Sequence, residues 1–182
     1  MTLVYEPAED SFLLQLIISK YAKNKTVLDM CSGSGILAKA ALSSGAKSVI
    51  AVDINPDSIK ILKKEKIKAI KSNLFEKIKK SQKFDLIICN PPYLPEDKRE
   101  DKDSQKATTG GKKGDELILK FLKQSQEHIN PRRIILLLIS SLTPEERINN
   151  LLRNQKMKYK IIAEKKLFFE TLQVWEIEHN NN

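Results

Sequence analysis

The chain has few of the residues that build disulfide frameworks and metal centres. Its 182 residues include two cysteines, Cys31 and Cys89, and two histidines, His128 and His179. Two cysteines so far apart exclude a disulfide scaffold and give no metal-ligand spacing, so we expect no metal site and a reducing compartment. No apolar run approaches the ~18 residues that span a bilayer, and we expect no signal peptide. These absences predict a cytoplasmic protein.

The overall composition predicts a single folded domain over residues 1–182. A hydrophobic fraction of 41% and a charged fraction of 30% are typical of a soluble globular protein. The net charge of +9 favours acidic partners such as RNA. Because the lysines are spread along the whole chain without an arginine-rich segment, an ordinary basic surface is an equally good interpretation. We therefore expect any contact with nucleic acid to be indirect.

Alternating strand and helix patterns predict an α/β fold with a mostly parallel sheet and helices on both faces. Apolar runs bounded by turn residues predict seven strands, at 26–30, 49–52, 68–71, 84–89, 134–139, 159–163 and 173–177. The third strand is weak, which suggests a sheet edge. The last two strands are joined by a short connection, so we expect them to form an antiparallel pair at the other edge.

The helices are predicted from apolar periodicity and from their start and stop residues. They run from 7 to 22, from the Gly33/Gly35 turn to Gly45, from Pro56 onwards, from 115 to 129, and after a capping residue, Thr143. In the first helix we expect an apolar stripe of Phe12, Leu13, Leu16 and Ile17. One long loop, residues 95–114, remains, and loops of that length are often functional.

Polar residues at the ends of successive strands indicate a cofactor site. Asp29 ends the first strand, Asp53 ends the second, and Asn73 follows the third, with a turn containing Gly33 and Gly35 after Asp29. Because ligands of open α/β sheets bind at the carboxyl ends of the strands, these residues should meet. The glycine pattern is also compatible with NAD, but acidic Asp29 would repel a pyrophosphate and attract a cofactor with positive charge, such as S-adenosylmethionine. Helix capping or turn chemistry would explain each residue singly.

The most informative segment is Asn90-Pro91-Pro92-Tyr93, which follows the buried strand at 84–89. The two prolines have no N–H and restrict the backbone before them, so the turn presents acceptor oxygens. The side chain of Asn90 and the carbonyl of Pro91 can together hold both hydrogens of a planar NH2 group. Tyr93 adds a flat face. Such a site suits methylation of an amide or amino nitrogen.

Five segments in this order carry a resemblance to a known family. They are residues 5–11 (YEPAEDS), 28–35 (LDMCSGSG), 53–56 (DINP), 90–95 (NPPYLP) and 110–114 (GGKKG). The chain resembles the HemK-like class I methyltransferases, and most of all their short eukaryotic and archaeal branch, which methylates the glutamine of the Gly-Gly-Gln motif in class 1 translation termination factors. The bacterial branch has an additional N-terminal helical domain.

The resemblance implies a fold, a reaction and a set of site residues. The fold is the Rossmann-like three-layer sandwich with a seven-stranded sheet. The implied cofactor is S-adenosyl-L-methionine, converted to S-adenosyl-L-homocysteine. The implied cofactor contacts are Ser11, Asp29, Cys31, Gly33, Asp53, Ile54, Asn73, Leu74 and Asn90. The catalytic residues are Asn90, Pro91 and Tyr93, and the substrate contacts add Pro92, Gly110 and Gly111.

Two positions depart from the family pattern. Cys31 stands where a glycine is common, and Asn73 stands where an aspartate is common, which predicts weaker cofactor binding. The resemblance further implies a heterodimer with a small zinc-binding activator protein, docked near residues 67–70, and a release factor as substrate.

Two other functions remain open from the residues themselves. The same acceptor pair could hold the N6 amine of adenine or the N2 amine of guanine in RNA or DNA, with Tyr93 stacked on the base. The chain could also be a non-catalytic scaffold that binds the cofactor or a partner protein, although the intact acceptor turn argues against this.

Overall fold

The computed structural model describes residues 4–96 and 108–180. Five helices lie within these residues: α1 (Glu9–Ile18), α2 (Ile36–Ser43), α3 (Pro56–Lys64), α4 (Glu116–Ser125) and α5 (Glu145–Asn154). Nine strands lie there as well: β1 (Thr26–Met30), β2 (Ser48–Asp53), β3 (Lys68–Lys71), β4 (Phe84–Cys89), β5 (Leu94–Pro95), β6 (Thr109–Gly111), β7 (Ile129–Ser140), β8 (Met157–Lys166) and β9 (Thr171–His179).

Seven of the strands form one sheet in the order β3-β2-β1-β4-β7-β9-β8. The first five in this order run parallel, and β9 pairs antiparallel with both β7 and β8. The predicted mostly parallel sheet, the edge position of β3 and the antiparallel pair at the opposite edge are therefore confirmed. β1 lies between β2 and β4, and its carboxyl end lies beside theirs.

The sheet separates two apolar cores. On one face, α1, α2 and α3 pack against the sheet through residues such as Leu14, Leu37 and Leu62. On the other face, α4 and α5 pack through residues such as Phe121 and Leu152. The side chain of Tyr93 touches both cores, which places the acceptor turn at the end of the sheet where the two layers meet.

The first helix differs from its prediction. It is shorter than residues 7–22, and its buried residues are Asp10, Ser11, Leu14 and Ile18. Phe12 and Leu16 of the predicted stripe are 45% and 71% exposed. The helix is apolar around most of its circumference, so periodicity alone did not identify the face that packs on the sheet.

Two predicted boundaries are also wrong. The helix expected to reach Ile129 ends at Ser125, and Ile129 instead pairs with Phe84 as the first residue of β7. The following Asn130-Pro131 favours extended backbone, which suits a strand. Thr143 does not cap α5, because Pro144 occupies the N-cap position; the Thr143 hydroxyl donates to the backbone oxygen of Tyr93 at 3.3 Å.

The predicted loop at 95–114 contains two short strands near its ends. β5 and β6 pair as a small parallel two-stranded sheet there, and residues 97–107 lie outside the described residues. Within the described ranges, no helix is both long enough and apolar enough to cross a lipid bilayer.

Candidate active site

A cavity of about 530 Å³ lies at the carboxyl ends of β1, β2 and β4. This is the point in the sheet order where open α/β folds bind ligands. The residues predicted to bind a cofactor that line the cavity are Ser11, Cys31, Gly33, Asp53, Ile54, Asn73, Leu74 and Asn90. The predicted acceptor residues Pro91, Pro92 and Tyr93 line it too. The fold therefore brings together residues from segments far apart in sequence.

The turn after β1 runs along the cavity with an unusual backbone conformation. Cys31, Gly33 and Gly35 all have positive φ, at 61°, 50° and 82°. This conformation costs a residue with a side chain roughly 1–2 kcal/mol, which is a physical reason for glycine at the position that Cys31 occupies here. A Cβ added to Gly33 would have the Tyr5 backbone oxygen, 3.8 Å away, as its nearest described neighbour. The backbone at Gly33 is therefore open to a ligand.

The carboxylate of Asp53 fixes this turn to the end of β2. Its Oδ2 accepts from the N–H of Gly33 at 2.7 Å, and its Oδ1 accepts from the N–H of Asn55 at 2.8 Å. Burial raises the pKa of Asp53, and these backbone N–H groups partly offset that effect. The contact to Asn55 is the local turn chemistry that the sequence left open as an alternative. Asp53 makes this contact and lines the cavity as well.

Asp29 is the predicted cofactor residue that lies behind the cavity wall. It is completely buried, it is not a lining residue, and neither carboxylate oxygen has a hydrogen-bond partner among the described residues. Burial raises the pKa of Asp29 to about 8, with a further contribution from the charge of Asp53. The N–H of Ala38 in the first turn of α2 lowers this pKa without reaching hydrogen-bond geometry. At neutral pH the free protein therefore holds Asp29 mostly protonated.

This pKa predicts a pH dependence of stability. A carboxyl group whose pKa rises on folding stabilises the folded state at pH values below its unfolded pKa, near 4. That contribution is lost as the pH rises toward 8, where the folded protein also ionises. We expect the free energy of unfolding of the wild type to fall, between pH 5 and pH 8, by on the order of 2 kcal/mol more than that of Asp29→Asn. Urea titrations of both proteins at the two pH values measure this difference; parallel curves would contradict it.

The side-chain amide of Asn90 is held in one orientation by α1. Its Nδ2 donates to Asp10 Oδ2 at 3.1 Å and lies 3.3 Å from Ser11 Oγ. The Tyr5 hydroxyl donates to the same Asp10 oxygen at 2.9 Å, and Asp10 Oδ1 accepts from the Ser11 N–H. The remaining amide atom, Asn90 Oδ1, is buried and has no partner among the described residues. A buried acceptor without a partner is costly unless a ligand satisfies it.

Tyr93 completes this side of the cavity. Burial, together with the nearby charges of Asp10 and Glu170, raises the pKa of the Tyr93 phenol well above its ordinary value. The pKa of Tyr5 is raised in the same way, by burial and by its contact with Asp10. Both phenols are therefore neutral at physiological pH, and neither serves as a base.

The glycines at 110 and 114 pack against the backbone of the acceptor turn. A Cβ at Gly110 would lie 2.6 Å from the Pro92 oxygen, and a Cβ at Gly114 would lie 2.5 Å from the Tyr93 oxygen. Gly110 and Gly111, predicted as substrate contacts, are not among the lining residues; the preceding Thr108 and Thr109 are. The glycine segment, residues 110–114, thus packs against the backbone of the acceptor turn and does not line the cavity.

Sequence reasoning missed two residues of the site, Asp10 and Tyr5. Both belong to the 5–11 segment that carries the family resemblance, but neither is among the site residues that the resemblance implies. The signal that identifies Asp10 is spacing: Asp10, Leu14 and Ile18 recur every four residues, so a carboxylate shares the face that packs on the sheet.

Known proteins resemble this chain in sequence and in structure. The family model described as conserved hypothetical protein 95 matches residues 14–108. A protein N5-glutamine methyltransferase of Methanocaldococcus jannaschii is 38% identical over 179 residues, which cover 94% of this chain and 89% of that protein. A release factor glutamine methyltransferase of Clostridium acetobutylicum is 28% identical, and the match covers 82% of this chain and 59% of that longer protein.

Solved structures give the same fold. The structure of the E. cuniculi Mtq2–Trm112 complex, described as responsible for methylation of the eRF1 termination factor, superposes with a TM-score of 0.79 at 21% identity and covers 97% of this chain and 99% of that one. A ribosomal protein L11 methylase of Lactobacillus delbrueckii subsp. bulgaricus gives a TM-score of 0.71 at 24% identity, with 97% and 82% covered. The predicted fold and family are confirmed: the chain has the class I methyltransferase fold and belongs to the protein N5-glutamine methyltransferase family.

Proposed function

We propose that this chain methylates the side-chain amide nitrogen of the glutamine in the Gly-Gly-Gln motif of a class 1 translation termination factor. One observation carries the proposal. The Asn90 amide is fixed through its Nδ2, and its Oδ1 is a buried acceptor that lacks a partner among the described residues, on the wall of the cavity. Such an oxygen can accept a hydrogen bond from the N–H group of the substrate that receives the methyl group. The name of the M. jannaschii relative supports a glutamine as methyl acceptor, and the description of the E. cuniculi complex supports a termination factor as substrate.

The cofactor end of the cavity fits S-adenosylmethionine. Asp53 offers a carboxylate for the two ribose hydroxyls, and the open backbone at Gly33 leaves room beside it. The Nδ2 of Asn73 donates to Glu76 at 2.8 Å, so its amide oxygen is the atom that can accept from an adenine amine. Ser11, Cys31, Ile54 and Leu74 add further wall contacts. When bound, this cofactor supplies a methyl group on a positively charged sulfur and leaves as S-adenosylhomocysteine.

The acceptor end orients the amide nitrogen for attack. Asn90 Oδ1 and the Pro91 carbonyl accept the two hydrogens of the glutamine NH2, and Tyr93 covers one face of the amide. An amide nitrogen is a weak nucleophile because its lone pair is delocalised. Holding both hydrogens aims this lone pair, and well-oriented groups gain up to about 7–11 kcal/mol from positioning. Asp10 and Ser11 keep Asn90 in the orientation that this requires, and the excess proton leaves to water after transfer.

A small partner protein is part of the proposal. β3 is the edge strand of the sheet, with Lys68 and Lys71 exposed and Ala69 and Ile70 only half-buried. This edge can accept another protein chain beside residues 67–70, and the E. cuniculi structure contains Trm112 as such a small partner. We propose a zinc-binding activator there, and a cytoplasmic location, where termination factors act.

The direct test is methyl transfer to a defined acceptor. The full chain, co-expressed with its activator, is incubated with labelled S-adenosylmethionine and with the termination factor of the same organism. We expect one methyl group per factor, placed on the motif glutamine by tandem mass spectrometry. A factor with that glutamine replaced by alanine is the matched control and should stay unlabelled.

A parallel incubation with total RNA and with DNA tests the alternative acceptors. Label in nucleic acid and none in the factor would replace the proposed substrate with a base amine. Tight cofactor binding without transfer to the factor or to nucleic acid would instead support the non-catalytic scaffold.

A further inference from the structure

Two neighbouring aromatic side chains stand out from the surface on the turn that joins β8 to β9. Phe168 and Phe169 are 92% and 84% exposed, the highest exposures of large apolar side chains among the described residues. Their rings contact each other edge to face, with centroids 4.6 Å apart. Residues 167–170 are called the aromatic turn below. Exposed aromatic pairs of this kind are typical of interaction sites.

Hydrogen bonds fix the backbone of the aromatic turn. The N–H of Leu167 donates to the Glu170 oxygen at 2.8 Å, and the Ser140 hydroxyl donates to the Glu170 carboxylate. Ser141 and Thr171 exchange two further hydrogen bonds of 2.9 Å. The two rings therefore contribute little to folding, and a rigid turn presents them to solvent.

The topology places this turn beside the acceptor end of the active site. β7 runs parallel to β4 and ends at Ser140, and Ser140 pairs with Leu172 at the start of β9. The β8–β9 turn thus lies at the end of the sheet where the parallel strands finish, and the acceptor turn lies at the same end. Just beyond β7, Thr143 donates to the Tyr93 backbone oxygen, and Lys165 of β8 forms an ion pair with Glu9, next to Asp10. Residues close to the aromatic turn in the fold, Thr143 and Lys165, therefore contact the acceptor turn and α1.

We propose that Phe168 and Phe169 dock an apolar surface of the protein acceptor, beside the segment whose glutamine enters the cavity. This inference rests on the proposed function. A glutamine that belongs to a folded factor brings the surface of that factor against the enzyme, so we expect a second contact outside the cavity that a free amide would not make. The apolar edge-to-face pair favours a protein surface over a nucleic acid. Aromatic side chains are enriched at protein interfaces, whereas sites for single-stranded nucleic acid combine aromatic side chains with a basic groove. Of the two lysines at the end of β8, Lys165 is paired with Glu9 and Lys166 is exposed.

The test separates docking from chemistry. Phe168→Ser/Phe169→Ser is compared with wild type in steady-state methylation of the intact termination factor and of a short Gly-Gly-Gln peptide. We expect KM for the factor to rise at least tenfold, with the peptide rate and the cofactor Kd unchanged. Biolayer interferometry with S-adenosylhomocysteine present should give the same loss of affinity for the factor, mainly as faster dissociation.

A control variant and three other outcomes make the result decisive. Leu16→Ser removes an apolar side chain that is 71% exposed on α1, and it should leave both kinetics and binding unchanged. Equal KM values for the double variant and wild type on the factor, or equal losses on factor and peptide, would overturn docking while leaving the proposed function intact. Loss of binding to a single-stranded RNA oligomer with factor methylation unchanged would assign the turn to RNA. A wild type that never methylates the factor would overturn both proposals.

Discussion

Replacing Asn90 with alanine is expected to lower kcat by at least about 10³-fold while leaving the cofactor Kd within a few-fold of wild type. Removing one preorganised group that contacts the developing charge typically costs about 10²–10³ in rate. Here the same change also removes the group that orients the nucleophile. The fold should survive, because Asp10 keeps its contacts with the Tyr5 hydroxyl and the Ser11 N–H. Single-turnover kinetics and calorimetric titration of S-adenosylhomocysteine measure the two quantities separately.

A double-mutant cycle with Asp10 tests how Asn90 is held. Asp10→Asn keeps the size of the side chain but removes the carboxylate that fixes the Asn90 Nδ2, so the Asn90 amide can rotate and withdraw Oδ1. We expect a loss of about 10–100-fold in kcat in the wild-type background and little further loss in Asn90→Ala, because residues in one hydrogen-bond network are not additive. Additive losses would mean that Asp10 acts independently of Asn90. Equal losses of cofactor affinity and of turnover in Asn90→Ala would assign Asn90 to the cofactor rather than to the acceptor.

Three strands of the parallel sheet could be predicted from sequence with the right bounds, whereas the extent of the antiparallel edge strands could not. The bounds of β1, β3 and β4 match the prediction because each is a short run bounded by turn residues. β8 was predicted at 159–163 but extends over Met157–Lys166. Charged residues of this strand pair across to β9, as in Lys158 with Glu178 and Lys160 with Glu176. A strand stabilised by ion pairs at a sheet edge carries no apolar run for a sequence pattern to detect.

Some features of the active site could likewise be predicted from sequence, and others depend on tertiary contacts. The site residues that follow the strands could be predicted from sequence, because parallel strands all end on the same side of the sheet and so bring these residues together. The contact between Asp10 and Asn90 joins residues 80 positions apart, and the position of Asp29 behind the wall depends on how α2 packs. No local pattern records such tertiary contacts. The glycines at 110 and 114 illustrate the same limit: their motif is visible in the sequence, but their close approach to the acceptor turn appears only in the fold.

That close approach predicts a large effect for Gly114→Ala. Gly114 has a φ of 87°, and an added Cβ would lie 2.5 Å from the Tyr93 oxygen and 3.1 Å from the Pro95 nitrogen. Both atoms belong to the backbone, so the clash is relieved by a backbone shift where residue 114 packs against the acceptor turn, and we expect the turn to be displaced. A displacement of about 1 Å in a catalytic group can cost 10²-fold in rate. We expect kcat to fall by about 10²-fold or more, with the cofactor Kd little changed.

Gly45→Ala is the matched control, because it separates backbone strain from displacement of the turn. Gly45 has a φ of 81°, but its Cβ would have Lys23 Cγ, 3.8 Å away, as its nearest described neighbour. A side chain at a positive φ should cost either variant about 1 kcal/mol of stability. Gly45→Ala should therefore lose about this much in urea unfolding and keep full activity, whereas Gly114→Ala should lose more stability and most of its turnover. Equal activity of the two variants would mean that the glycine segment does not position the acceptor turn.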